Sequence, residues 1–302
     1  MLISSNNQIV DVTATPTVAT DGRVATDGRT TTDGPVSVTD DEKAKTVVHL
    51  MLSFRHLCVV TVSLPLGAMV ICFVTAYIFQ PDEIHETHCR VYNIIPSISA
   101  ITGVSPQRYL WRICVAFHIG PRILIASVYR SYYSGQLAAA SILDASNEAV
   151  KRQGPLLLAA CYWLNLIEIG ALCGVTYISN RENYPVHEKI FILFMLCSLS
   201  HMLATLKLFK LVHPTMSGSE KASYAIKKFL FATSIASTIG LMLFFAKHRL
   251  LCHDMAFSWF ALCEYVIASA NMAFHVTVVF DFPAEKLIVA RGLHSISGKK
   301  TN

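Results

Sequence analysis

Charge is scarce in this chain of 302 residues: only 15% are Asp, Glu, Lys or Arg, where a soluble globular protein carries roughly 25%. Set against 53% hydrophobic residues and a mean hydropathy of +0.47, that shortage excludes a water-soluble globular protein. Motifs of nucleotide-driven machinery are missing as well: neither G-x-x-x-x-G-K-[ST] nor G-x-G-x-x-G occurs. H-E-x-x-H and C-x-x-C are also absent, which removes the familiar zinc arrangements. The formal charge is +5, but the basic residues are scattered among apolar runs and form no nucleic-acid-binding block. No nucleic-acid partner is expected.

Residues 1–46 lack aromatics altogether and carry a hexad echo, Ala19-Thr-Asp-Gly-Arg-Val and then Ala25-Thr-Asp-Gly-Arg-Thr. Such a segment cannot bury enough apolar surface to offset its conformational entropy, so a disordered cytoplasmic tail is expected. It has no basic n-region and apolar h-region, which leaves the first membrane helix as the insertion signal.

What is present is a series of apolar runs of the ~20 residues that cross ~30 Å of hydrocarbon. They lie at about 54–79, 108–132, 156–178, 189–211, 229–247 and 256–281. In lipid the backbone must satisfy its own hydrogen bonds, so all are read as helices. The expected fold is all-α: a polytopic membrane protein with a six-transmembrane helix bundle over 47–283 and a cytoplasmic tail over 284–302. Pro65 and Pro121 are expected to kink the first two helices.

Lysines and arginines gather on one side, among them Lys43, Lys45, Lys151, Arg152, Lys227 and Lys228, against a few such as Arg90 and Arg181 opposite. Both termini are therefore expected in the cytoplasm. Lys299-Lys300-Thr301-Asn302 looks like a dilysine retrieval signal, which would cycle the protein through the endoplasmic reticulum. All cysteines except Cys89 and Cys252 fall inside the helices. Those two lie in the first and last non-cytoplasmic loops, in the compartment that oxidises thiols, and a Cys89–Cys252 disulfide is expected. The alternative is two free thiols.

Ionisable side chains at mid-membrane cost at least ~2.5 kcal/mol each and call for a reason. The second helix carries Arg108, Arg112, His118 and Arg122 within roughly 120° of arc. The third has Asn165 and Glu168, the fourth His201, and the sixth Glu264, Asn271 and His275. At 1.5 Å per residue, Glu264, His118, Glu168 and His201 lie roughly 12, 15, 15 and 18 Å from the lumenal helix ends. A polar network among helices two, three, four and six is expected, with helices one and five facing lipid. Pairs such as Arg112 or Arg122 with Glu168 or Glu264 would serve packing alone. Three deep histidines favour chemistry instead. His118 or His201 would act as base, Glu168 or Glu264 would orient the imidazole, and the arginines, Asn165, Asn271 and His275 would bind substrate. No metal is expected, since His275 comes out near 28 Å deep, away from the other histidines. A loop group including His85, His88, His187 and His253 is read as solvated.

The stretch Thr87-His-Cys-Arg-Val-Tyr-Asn-Ile-Ile-Pro96-Ser, then Pro106-Gln-Arg-Tyr-Leu-Trp111-Arg and Phe117-His-Ile-Gly-Pro-Arg122, resembles the post-GPI-attachment to proteins factor 2 family. Ser200-His201-Met202-Leu203, Glu264-Tyr265 and Asn271-Met-Ala-Phe-His275 are similar too. That family sits among the membrane proteins that include the damage-regulated autophagy modulators. The resemblance covers about 50–283. It implies fatty-acid remodelling of glycosylphosphatidylinositol (GPI) anchors in the Golgi membrane. There a lyso-GPI intermediate is reacylated at sn-2 with a saturated, usually stearoyl, chain, so that anchored proteins enter ordered lipid domains. The implied partners are GPI-anchored proteins with their lyso-GPI lipid, membrane lipids and other GPI-remodelling proteins. No tightly bound cofactor is implied; the acyl donor, acyl-CoA or phospholipid, is a co-substrate. A non-catalytic lyso-GPI-binding partner of a separate acyltransferase is the alternative reading, ahead of a transporter or scramblase. The chain has no H-x-x-x-x-D pair.

Overall fold

Each long apolar run becomes a helix in the computed structural model, which describes residues 47–143, 148–282 and 286–291. Two expected features, the 1–46 tail and the Lys299-Lys300 signal, lie outside the described residues. The elements of the main compact unit, residues 53–284, are α1 (Phe54–Phe79), α2 (Pro81–His85), α3 (Ile98–Gly103), α4 (Gln107–Leu143), α5 (Glu148–Tyr177), α6 (Tyr184–Val212), α7 (Gly218–Leu251), α8 (Ala256–Val276) and α9 (Val278–Asp281). Among the described residues, six helices are long and apolar enough to cross a membrane. The chain is a multi-pass membrane protein.

α1 matches its expected span and α8 ends short of it, at Val276, but the other four long helices overrun theirs. α4 continues to Leu143, and α7 runs from Gly218 to Leu251. Hydropathy marks only the part of a helix that lipid touches, and local capping sets the ends. The N–H of Ser217 donates to the Glu220 carboxylate at 2.7 Å and starts α7. Asn183 accepts from the N–H of Val186 at 3.2 Å and starts α6, with Pro185 in its first turn. Pro65, Pro121 and Pro155 all lie inside helices.

One expectation about lipid exposure is corrected. α7 is the least covered span, with 17% of its most apolar stretch buried, but α1 has 39% buried against 28% for α4 and α5. Lack of charge is a poor proxy for facing lipid. α1 is buried through small residues, Ala68, Cys72 and Ala76, that let neighbouring helices approach closely.

Residues 47–52 and 286–291 belong to a second compact unit. There β1 (Val47–Ser53) pairs with β2 (Lys286–Arg291) in a two-stranded sheet. No strand is expected from the sequence, because apolar runs this short do not distinguish a strand from a helix extension.

The expected disulfide forms between Cys89 and Cys252, with Cα atoms 5.4 Å apart. Hydrogen bonds lace the same two loops together. Met255 N–H donates to the Tyr92 carbonyl at 2.9 Å, and Ile94 N–H to Ser258 Oγ at 2.8 Å. Cys252 and Met255 are left-handed, at φ 47° and 62°, so the chain turns sharply between α7 and α8 without glycine. Because the bridge closes a sequence separation of 163 residues, Cys252→Ser is expected to cost ~2–5 kcal/mol. Thermal unfolding of the purified protein measures that loss, and a gel shift on reduction reports the bond.

Candidate functional site

Helical spacing stacks the polar residues of each span on one face. His118 and Arg122 are four apart on α4, Asn165 and Glu168 three apart on α5, Ser198 and His201 three apart on α6, and Asn271 and His275 four apart on α8. The bundle turns these faces inward around the carboxylate of Glu168, which is 1% exposed.

Glu168 Oε1 accepts from Asn271 Nδ2 at 2.9 Å and from Arg122 Nη2 at 3.3 Å, and lies 3.2 Å from His275 Nε2. Arg122 Nη2 also donates to Asn165 Oδ1 at 3.1 Å and stands 2.8 Å from His275 Nε2. Asn271 Nδ2 reaches Ser198 Oγ at 2.6 Å. Glu168 Oε2 is 3.5 Å from His201 Nδ1, an ionic distance without hydrogen-bond geometry, and neither atom has a hydrogen-bond partner. The His201 and His275 rings stack at 5.3 Å, 9° from parallel. A buried carboxylate is costly alone; here the Arg122 charge and the Asn271 amide compensate it.

The structure therefore brings together Arg122, Asn165, Glu168, His201, Asn271 and His275. It corrects the depth assigned to His201: α6 begins at Tyr184 rather than near 189, which sets His201 ~7.5 Å deeper and beside His275. Glu168, His201 and His275 offer ligand atoms within 4.8 Å of one another, the group among the described residues that would hold a metal. The chemistry suits an internal ion pair better. Arg122 Nη2 sits against the His275 nitrogen that a metal would need, and its guanidinium charge opposes a second cation. The loop histidines form no such group among the described residues.

His118 stands apart from this network. Its Nδ1 lies 2.6 Å from the carbonyl oxygen of Thr61 on α1, so Nδ1–H donates, and in the neutral imidazole Nε2 carries the lone pair. With Arg122, Asn271 and Glu264 it borders a cavity of about 110 Å³. His201, His275 and Asn165 border a separate, smaller space of about 30 Å³.

Glu264 makes no arginine pair, contrary to one expectation. Its Oε2 accepts the N–H of Ile98 at 2.9 Å at the start of α3. A larger, mainly apolar cavity of about 360 Å³ lies between α6, α7 and α8. The two cavities share Ser99, His187, Phe191 and Glu264 as walls.

Arg108 and Arg112 are not brought to the Glu168 network either. They lie at the disulfide end of α4, where Arg112 Nη2 meets Glu182 at 2.8 Å and Arg108 donates to the Gly103 carbonyl at 2.6 Å. Glu182 also accepts the N–H of Ser179 at 2.9 Å. That bond first, and Arg112 next, hold its carboxyl well below the usual range, at about 2. A lowered carboxyl pKa gives stability that is complete above the unfolded value near 4.5 and lost as pH falls toward 2. Glu182→Gln is expected to flatten that part of the stability-against-pH curve, measured by thermal unfolding between pH 6 and 3.

Sequence reasoning missed two features. Lys227, counted among loop cations, is fully buried, with Nζ 2.8 Å from both oxygens of Asp281 and 2.7 Å from Ser223 Oγ. Tyr129 OH donates to the same carboxylate. His187, read as a solvated loop residue, lines both cavities and has Nδ1 2.7 Å from the Ile178 carbonyl. The four-residue spacing of Ser223 and Lys227 was the one available signal.

Fold and site define a six-span helical membrane protein with a buried carboxylate, arginine and histidine node beneath cavities at its disulfide end. The chain belongs to the Frag1/DRAM/Sfk1/Cwh43P N-terminal domain family, whose model matches residues 53–285. It is similar to a Drosophila melanogaster protein named Post-GPI attachment to proteins factor 2-like, 57% identical over 255 residues, covering 84% of this chain and 77% of that one. It is also similar to Acyltransferase PGAP2 of Xenopus tropicalis, 38% identical over 241 residues, 79% of this chain and 91% of the relative. A Caenorhabditis elegans Post-GPI attachment to proteins factor 2 is 30% identical over 250 residues, 80% and 89% of the two chains. No solved structure matches.

Proposed function

We propose that this protein acts in GPI-anchor remodelling in the Golgi membrane, reacylating lyso-GPI at the sn-2 hydroxyl with a saturated, stearoyl chain. The names of its relatives, Acyltransferase PGAP2 and Post-GPI attachment to proteins factor 2, support the class of reaction and of substrate. The observation that carries the reading is the pair of adjoining cavities. A mainly apolar space of about 360 Å³ shares a wall with a smaller one, also mainly apolar, into whose lining His118, Arg122 and Asn271 bring the polar groups.

In this reading His118 Nε2 takes the proton of the lyso-lipid hydroxyl as that oxygen attacks the donor carbonyl. Arg122, which borders this cavity with Asn271 and whose Nε–H has no partner in the network, supplies a donor to the oxyanion that develops. Glu168 holds both of them in place. No cofactor is bound tightly; the acyl donor is a co-substrate.

The test is anchor lipid analysis in cells deprived of the protein and supplied with wild type or His118→Ala. Wild type is expected to restore anchors with two saturated chains, while His118→Ala at equal protein level leaves lyso-GPI unconverted. Full restoration by His118→Ala would overturn the assignment.

A further inference from the structure

We infer that the acyl donor is a diacyl phospholipid drawn sideways from the leaflet at the disulfide end, rather than acyl-CoA arriving from the other face. The inference rests on the acyl transfer proposed above and names the second substrate of that site.

Three observations carry it. The first is where the large cavity lies. Its walls include Tyr184 and His187 at the start of α6 and Phe257 and Phe260 at the start of α8. That is the end of the bundle tied by the Cys89–Cys252 bridge, and disulfides persist in lumenal or extracellular compartments. The cavity reaches Leu199 on α6, which is ~22 Å from the helix start at 1.5 Å per residue. That depth spans a headgroup layer and one leaflet of a ~30 Å hydrocarbon core.

The second is which way the cavity opens. Ile192 and Leu196 on α6 and Met242 on α7 line it and keep 51, 60 and 56% of their surface accessible. Accessible apolar side chains on both helices point to an opening between α6 and α7, on the side that lipid covers. A volume of about 360 Å³ falls within the ~300–1,000 Å³ of ligand pockets.

The third is what closes the other direction. Arg122, Glu168 and Asn271 are hydrogen-bonded to one another and at most 5% exposed. Arg122 and Asn271 form a floor to the His118 cavity, and the space bordered by His201 and His275 beyond the network is about 30 Å³. A thioester from that face would have to break a buried ion pair to reach His118.

The step balances as a transacylation. The sn-2 hydroxyl oxygen of lyso-GPI forms a new bond to the donor's ester carbonyl carbon, and its proton goes to His118 Nε2. The bond from that carbon to the donor's glycerol oxygen breaks, and the departing oxygen takes the proton back. The products are diacyl GPI and one lysophospholipid, with no redox change and no water consumed.

The experiment uses the full chain in liposomes with a fixed lyso-GPI acceptor. The donor is either stearoyl-labelled phosphatidylcholine or labelled stearoyl-CoA supplied on both faces. The expected result is label in GPI from phosphatidylcholine at least tenfold faster than from stearoyl-CoA, with one lysophosphatidylcholine released per acceptor acylated. Leu196→Trp, which narrows the lateral opening from an exposed position, is expected to slow that transfer at least tenfold with unchanged thermal stability. Transfer from stearoyl-CoA at an equal or greater rate overturns the donor assignment and leaves reacylation standing. Transfer from neither donor overturns reacylation itself, and an unaffected Leu196→Trp overturns the lateral route.

Discussion

Glu168→Gln is expected to destabilise the protein by ~3–5 kcal/mol, because it leaves the Arg122 guanidinium buried without its opposite charge. Arg122 is 4% exposed and its nearest carboxylate oxygen, 3.3 Å away, belongs to Glu168. The amide also leaves His275 without the anion 3.2 Å from its Nε2. Replacing both members, Arg122→Met with Glu168→Leu, removes the unpaired charge and is expected to recover most of the stability, since apolar replacement of a buried pair is often neutral or better. Transfer is not expected to recover, because the Arg122 donor on the cavity wall is gone. Thermal unfolding and acyl transfer on the same samples separate the two effects. A double variant that transfers acyl groups normally would make the node a packing device alone.

His118→Ala is expected to lower acyl transfer by ~10²–10⁴-fold, the range of general-base contributions. The variant also gives up a fully buried ring and its hydrogen bond to Thr61, so rates must be compared per folded molecule. His201→Ala is expected to change transfer by less than tenfold, because its ring borders the small space beyond the network and not the His118 cavity. Initial rates at saturating acceptor, normalised to folded protein, decide between the two histidines. A larger loss for His201→Ala would move the base to the other side of Arg122.

The spans were legible in the sequence because a bilayer demands long apolar helices and leaves the backbone no alternative. The disulfide was legible because compartment and elimination left Cys89 with Cys252. Depth was harder to read. His201 was set too shallow because α6 starts at Tyr184, a polar first turn that hydropathy assigns to the loop. Arg112 shares a helical face with Arg122, but periodicity gives direction and not partner, and the structure joins it to Glu182. Lys227 and His187 sit near span ends, where a polar side chain reads as solvated whether or not the bundle covers it. β1 and β2 carry too few residues to announce their period.

The most direct test of the account is whether the purified chain, alone in liposomes with lyso-GPI and labelled donor lipid, moves the acyl group. A diacyl GPI product carrying the label is expected, formed by wild type and lost in His118→Ala. Lyso-GPI bound by the purified protein with no product formed from any donor would contradict it.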